Sequence, residues 1–420
     1  NVKPIKSVMN PYFVFILAAM VATFLFDTVV SILNMKALEP KVPQEFSDTF
    51  DAEAYSRSQE YTRVHTRFGL LSGTVSFVGL LLFWLLGGFA TVDTFARSYG
   101  YGEIVTGLIF IASLMLANSV ISLPFSLYHT FVIEEKFGFN KTTLLTFFAD
   151  RLKGLLLGII IGVPLLTCIL WFFESAGTLA WLWCWCGVTV FTLIAQFLAP
   201  TLIMPLFNKF TPIEEGELKN ALLHYAQSVN FPLTGIYIID GSKRSNKSNA
   251  FFTGFGKNKR IALYDTLVQN HTTDELVAIL AHEVGHYKHK HIVQSMVLSF
   301  LQSGILFFML SLFMNNSELS AAFYIEQTSI YASIVFFSLM YSPMSEILGI
   351  LFNMFSRKNE FEADSYAVRT THNAQSMIQA LKRLSANNLS NLTPHPLHVF
   401  LNYSHPPVLT RIQAIRALQV

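Results

Sequence analysis

The sequence predicts a mostly α-helical integral membrane protein with seven membrane-crossing helices and a metal-binding helix between two of them. Three observations predict it. Hydrophobic residues make up 52% of the 420 residues and charged residues only 13%, where a soluble domain carries about 25% charged residues. Seven apolar runs each reach the length of about 20 residues that a helix needs to cross a bilayer. A His-Glu-x-x-His motif, His282-Glu283-Val284-Gly285-His286, lies between the fifth and sixth of these runs.

The runs fall near 12–33, 68–90, 104–127, 152–173, 178–204, 292–314 and 329–352. The first is long for the core of a cleavable leader, and no small-residue cleavage site follows it. Trp181, Trp183 and Trp185 near one end of the fifth suit a membrane interface. The seventh contains Pro343 and Glu346, so Glu346 is expected to face protein or water rather than lipid. Asp27 in the first run reads as a member of a local hydrogen-bonded pair or a misplaced span end sooner than as the lining of a water-filled cavity. The expected organisation is 1–204 for spans one to five, 205–291 for a metalloprotease segment, 292–352 for spans six and seven, and 353–420 for the rest of the metalloprotease domain.

Lysine and arginine set the direction. Lys36, Lys41, Arg57, Arg63 and Arg67 follow span one, and Lys136, Lys141, Arg151 and Lys153 follow span three. Only Arg97 follows span two. Positive loops face the cytoplasm, which places 205–291 and 353–420 there too. Lys3 and Lys6 on the opposite side run mildly against this. The net charge of +2 gives no reason to expect a nucleic-acid partner. Cys168, Cys184 and Cys186 sit in apolar stretches with neither disulfide nor zinc-finger spacing.

Positions i and i+4 share one helical face, so His282 and His286 can bind one zinc ion, with Glu283 beside them as a base for water. Thr272 and Glu275 form a capping box that starts this helix. Catalytic zinc takes three protein ligands and keeps one open position. Spans six and seven form a hairpin, so a third ligand can come from Ser356-Arg357-Lys358-Asn359-Glu360-Phe361-Glu362-Ala363-Asp364. There Glu360 and Asp364 share a face; one can bind zinc while the other orients a histidine. A solvated acidic turn balancing Arg357 and Lys358 is the competing reading. His289 and His291 read as a basic helix end, and His395 and His398 as structural.

The chain resembles the type I CAAX prenyl endopeptidases, integral-membrane zinc metalloproteases that process isoprenylated proteins. The resemblance rests on five separated segments: the His-Glu-x-x-His helix, Ser356 to Asp364, Tyr128 to Lys141 after span three, Ser248 to Phe255, and the pair Thr393-Pro394-His395-Pro396-Leu397 with Tyr403-Ser404-His405-Pro406-Pro407. It implies seven transmembrane helices around a large water-filled intramembrane chamber, capped by a zincin-like metalloprotease domain. It implies one Zn2+ per chain held by His282, His286 and Glu360, with Asp364 in the outer shell. It implies that Glu283 is catalytic and that His405 stabilises the developing oxyanion. Asn249 would hold the substrate backbone, with Ala250 and Phe251 beside it on a strand edge. Thr410 stands where an acidic residue is expected before Arg411, which leaves Arg411 without a local ion pair.

The function expected is a membrane zinc metalloendopeptidase that removes the last three residues of isoprenylated C-a-a-X proteins or peptides. Membrane lipid is the other expected partner. The alternatives are a membrane quality-control zinc protease without a prenyl requirement and a non-enzymatic transporter or lipid binder with structural zinc. The C-terminal segment carries no acidic tail or retention signal, which favours a bacterial inner membrane over the endoplasmic reticulum.

Overall fold

A computed structural model of the chain describes residues 10–253 and 259–418. Lys3 and Lys6, and Gly254 and Phe255 of the Ser248–Phe255 segment, lie outside the described residues. The fold has a membrane half and a compact half, and the chain passes between them three times.

The membrane half begins with α1 (Pro11–Lys36). Asn10 caps it by accepting the N–H groups of Tyr12 and Phe13, and Pro11 supplies a preset first turn. Next come α2 (Ala52–Leu85), α3 (Gly88–Arg97) and α4 (Glu103–Tyr128). The α4 axis continues through a wide turn over His129–Glu134. Helices α5 (Leu144–Leu157) and α6 (Val163–Ser175) join across Gly158–Gly162 into one span, and α7 (Ala180–Leu198) forms the fifth.

The compact half follows. Strands β1 (Phe210–Pro212), β2 (Leu233–Ile239), β3 (Ala250–Thr253) and β4 (Lys259–Tyr264) form one sheet in the order β1-β2-β4-β3. The central pair β2–β4 is parallel; β1 and β3 add antiparallel edges. Helices α8 (Glu217–Ser228), α9 (Asp265–Asn270) and α10 (Thr273–Lys288) belong here. The chain then re-enters the membrane through α11 (His291–Leu312) and the short α12 (Ser317–Ala322). It returns along α13 (Ile330–Thr371) and closes with α14 (Ala374–Asn387), α15 (Pro396–Asn402) and α16 (Val408–Ala417).

Among the described residues, seven helices are long and apolar enough to cross a membrane, and the chain is an integral multi-pass membrane protein. Their most apolar windows are only 0% to 22% buried. A packed bundle hides its inward faces, so the spans instead stand around a large chamber. They close tightly at one end, where Phe13, Trp84, Phe110, Phe323, Tyr331 and Phe336 form a core. Trp84 donates its indole N–H to the Ala322 carbonyl at 2.9 Å.

Several predicted boundaries shift: the third span, expected to end near 127, continues to Glu134, and the fourth, expected from 152, begins at Leu144. The second run, expected at 68–90, lies in a helix that starts at Ala52 and stops at Leu85, because Gly87 turns left-handed at φ +78°. The seventh, expected to end near 352, continues to Thr371 as a single 42-residue helix. Hydropathy drops after Leu351, but no glycine or proline interrupts the charged segment, and Pro343 leaves the helix continuous. The helix ends where His372 takes φ +52°. Ser356–Asp364 is therefore the continuation of span seven, not a separate element after it.

The compact half is held by a second core: Leu222, Ile236, Ile261 and Leu263 from α8 and the sheet, Leu276, Leu280 and Val284 from α10, and Ile412 and Ile415 from α16. Helix α10 thus lies between sheet and C-terminal helices, with its polar edge turned to α13.

Candidate metal centre

Helix α10 starts where its sequence says it should. Thr272 accepts the Glu275 N–H at 3.3 Å, while the Glu275 carboxylate accepts the Thr272 N–H at 3.0 Å. One face of the helix carries Leu276, Leu280 and Val284 into the core. The helix also presents Gly285 to α13. A methyl group at Gly285 would stand 2.9 Å from the Ala363 Cα. Only glycine permits this approach, which sets α10 against the turn of α13 that carries Glu360 and Asp364.

The approach brings three ligand-type atoms together. His282 Nε2 and His286 Nε2 are 3.1 Å apart. Glu360 lies 3.5 Å from the first through Oε2 and 3.3 Å from the second through Oε1. All three ligand atoms fall within 4.8 Å of one another. Ligands about 2.0–2.1 Å from a tetrahedral zinc are about 3.3 Å apart, close to these separations. Glu360 is 3% exposed, and its Oε2 has no hydrogen-bond partner among the described residues. A buried carboxylate oxygen left bare is costly, and a cation at this point would satisfy it. The donor set fits zinc.

A ring of charge surrounds the three. Asp364 Oδ1 accepts from His282 Nδ1 at 2.8 Å, which leaves the Nε2 lone pair pointing into the cluster. Arg411, on α16, donates to both Asp364 oxygens at 2.7 and 2.6 Å. It also stands 3.2 Å from Glu360 Oε2, without a hydrogen bond to that oxygen. Arg411 has no acidic neighbour in sequence, as Thr410 suggested; the fold gives it two acids from α13 instead. His405 reaches the cluster from the turn before α16, with Nε2 3.4 Å from Glu360 Oε1 and Nδ1 2.9 Å from Ser404 Oγ. Glu283 is partly buried on α10, and burial pushes its carboxyl up from the ordinary range.

His282, His286, Glu360, Asp364 and His405 therefore converge. Among the described residues, Asn249, Ala250 and Phe251 make none of these polar contacts. They stand at β3, an edge strand against which α10 packs. The Asn249 side chain accepts the Ala250 N–H at 2.8 Å.

Sequence reasoning missed two groups. Arg411 is the buried cation of the centre; its signal was a lone basic residue flanked by Leu409, Ile412 and Ile415. The second is a clamp on the approach to β3. The segment after α4 bonds to residues 244–247: Phe139 O accepts the Asn246 N–H at 3.0 Å, and the Lys141 N–H donates to Arg244 O at 3.0 Å. Lys247 pairs with Glu134 at 2.9 Å, and Arg244 pairs with Asp150 at 2.7 Å. Asn388 holds both backbone groups of Ser248.

Two family models match the chain in sequence: CAAX prenyl protease N-terminal, five membrane helices, over residues 31–209, and peptidase family M48 over residues 212–419. A CAAX prenyl protease 1 homolog of Oryza sativa subsp. japonica is 35% identical over 418 residues, covering 96% of this chain and 97% of that protein. CAAX prenyl protease 1 of Saccharomyces cerevisiae is 34% identical over 426 residues, covering 94% and 93%. The crystal structure of S. mikatae Ste24p superposes with a TM-score of 0.92 at 33% identity, covering 96% of this chain and 99% of that one.

Proposed function

Because this chain belongs to the type I CAAX prenyl endopeptidases of peptidase family M48, and is an integral-membrane zinc metalloprotease, we propose that it cleaves isoprenylated C-a-a-X proteins or peptides and removes their last three residues. The observation that carries this reading is the continuity of α13. One helix crosses the membrane and, without a break, supplies Glu360 to the cluster with His282 and His286. This supports peptide hydrolysis at a membrane face, where a lipid-anchored C-terminus would present itself. The prenyl chain would lie in the apolar chamber.

In this proposal His282, His286 and Glu360 hold one zinc ion. When bound, zinc supplies Lewis acidity at this point. Glu283 accepts the proton of the attacking water and delivers it to the leaving amine nitrogen. His405 donates a hydrogen bond to the oxygen that gains charge as the carbonyl carbon becomes tetrahedral. Asn249, Ala250 and Phe251 align the substrate as an added strand on the free edge of β3. Asp364 and Arg411 hold His282 and Glu360 in place. In this proposal residues 205–291 and 353–420 together make the metalloprotease domain, and the lysine- and arginine-rich loops favour the cytoplasmic side for it.

The test is cleavage of a farnesylated C-a-a-X peptide by the purified protein, beside its unprenylated twin. Zinc-dependent release of the terminal tripeptide, favouring the farnesylated peptide, supports the reading. Equal cleavage of both peptides would point to a quality-control protease instead. Glu283→Ala should abolish hydrolysis and still bind one zinc; full activity in that variant would overturn the role of Glu283.

A further inference from the structure

His286 has an outer partner that motif spacing did not suggest. Its Nδ1 faces His291 Nδ1 at 3.0 Å, and His291 Nε2 stands 3.0 Å from Glu362 Oε2. His291 is 3% exposed and opens α11, while Glu362 lies on α13 beyond Glu360. The three groups form a line from the metal centre to the point where span six begins.

Proton positions along this line follow from the groups themselves. An ionised carboxylate only accepts hydrogen bonds, so His291 donates to Glu362 from Nε2. A neutral imidazole that donates from Nε2 offers a lone pair at Nδ1. His286 must then donate its own Nδ1–H to His291, which leaves its Nε2 lone pair directed into the cluster. Asp364 fixes the same tautomer in His282 by direct contact at 2.8 Å. The two Nε2 lone pairs then face each other across 3.1 Å, an arrangement that repels unless a cation stands between them.

We propose that His291 and Glu362 are positioning residues that hold His286 in its metal-binding tautomer, a relayed counterpart of the contact between Asp364 and His282. This rests on the reading of His282, His286 and Glu360 as zinc ligands. The relay also ties the first residue of α11 to the metal centre, so displacement of the span-six and span-seven hairpin would be felt by His286.

The test is the rate at which purified, zinc-loaded protein surrenders zinc to excess chelator, with the melting temperature of the metal-free protein measured in parallel. His291→Phe keeps the ring and loses the acceptor; it should release zinc about ten- to a hundredfold faster. His291→Asn places an amide oxygen near the Nδ1 position and should recover part of the loss. Glu362→Leu should release zinc faster than Glu362→Gln, which keeps an acceptor. His289→Phe, which keeps a ring stacked on His291, should match the wild type. A purely structural His291 would make Phe and Asn alike, or lower the metal-free melting temperature without changing release; either result overturns the relay. If His291→Phe does not fold, the Glu362 pair decides. Wild-type protein that holds no stoichiometric zinc, or His282→Ala that holds as much as wild type, would defeat the ligand assignment itself and the relay with it.

Discussion

Arg411 is 8% exposed between two carboxylates, Asp364 and Glu360. Two negative charges this close cannot both stay ionised in a dry site without a neighbouring cation. Removing one member of a buried ion pair costs about 3–5 kcal/mol, because the remaining charge keeps its desolvation penalty. Arg411→Met should therefore lower the unfolding free energy of the metal-free protein by an amount in that range, read as a lower denaturant midpoint. Arg411→Lys should recover little, since a single ammonium nitrogen cannot face Asp364 and Glu360 at once from fixed positions as the three guanidinium nitrogens do. A midpoint unchanged in Arg411→Met would mean that Asp364 and Glu360 share a proton rather than a cation.

At the scale of elements, the metal centre depends on how closely α10 approaches α13. Gly285→Ala puts a methyl group 2.9 Å from the Ala363 Cα, where backbone must move. Overpacking of this kind costs about 1–3 kcal/mol; the variant should melt earlier and release zinc faster. Unchanged zinc release would show that the helices separate without disturbing the ligands. The clamp before β3 makes a different prediction. Glu134 holds Lys247, and Arg244 holds Asp150, so residues 244–248 are pinned just ahead of the edge strand. Glu134→Gln weakens a charged hydrogen bond worth about 1.5–3 kcal/mol. It should raise KM for the peptide roughly tenfold with kcat nearly unchanged, the pattern of lost substrate alignment. An equal fall in kcat would place Glu134 nearer the chemistry.

These elements also show what the sequence could convey. His282, Glu283 and His286 were legible because a helix of period 3.6 converts spacing into shared direction. The capping box was legible for the same local reason. Hydropathy located the seven spans, yet it missed the end of the seventh, because hydropathy reports lipid contact and the helix outlasts the lipid. Arg411 was illegible as a partner of Asp364: 47 residues separate them, and only the packing of α16 against α13 joins them. Gly285 occupies a position that the motif leaves unspecified. Its role appears only once Ala363 stands opposite.

Across the whole molecule, the compact half must stay seated on the membrane half, and one contact illustrates how. The connection between α1 and α2 carries Glu45 and Asp48, and both reach Lys382 on α14, at 2.9 and 3.0 Å. Lys382 is itself 3% exposed, and these carboxylates replace the water that its Nζ loses on burial. Burial alone would raise both carboxyls. The hydrogen bonds and charges of Lys382, with Arg416 adding to Glu45 and with Thr49 and Gln379 adding to Asp48, outweigh it and hold both below their ordinary values. A carboxyl whose pKa is depressed by folding contributes stability in full above its unfolded value, near 4, and loses it as pH falls through the folded value. Wild-type protein should therefore melt above Lys382→Met at neutral pH. The difference should shrink once pH drops below about 4 and reverse at lower pH, where Lys382 is left buried with neutral partners while methionine is at home. Melting curves of the two proteins at a series of pH values read this directly. A difference that stays constant across the series would mean that Lys382 holds the halves together through its packed stem alone, and that the charges contribute nothing to the seating.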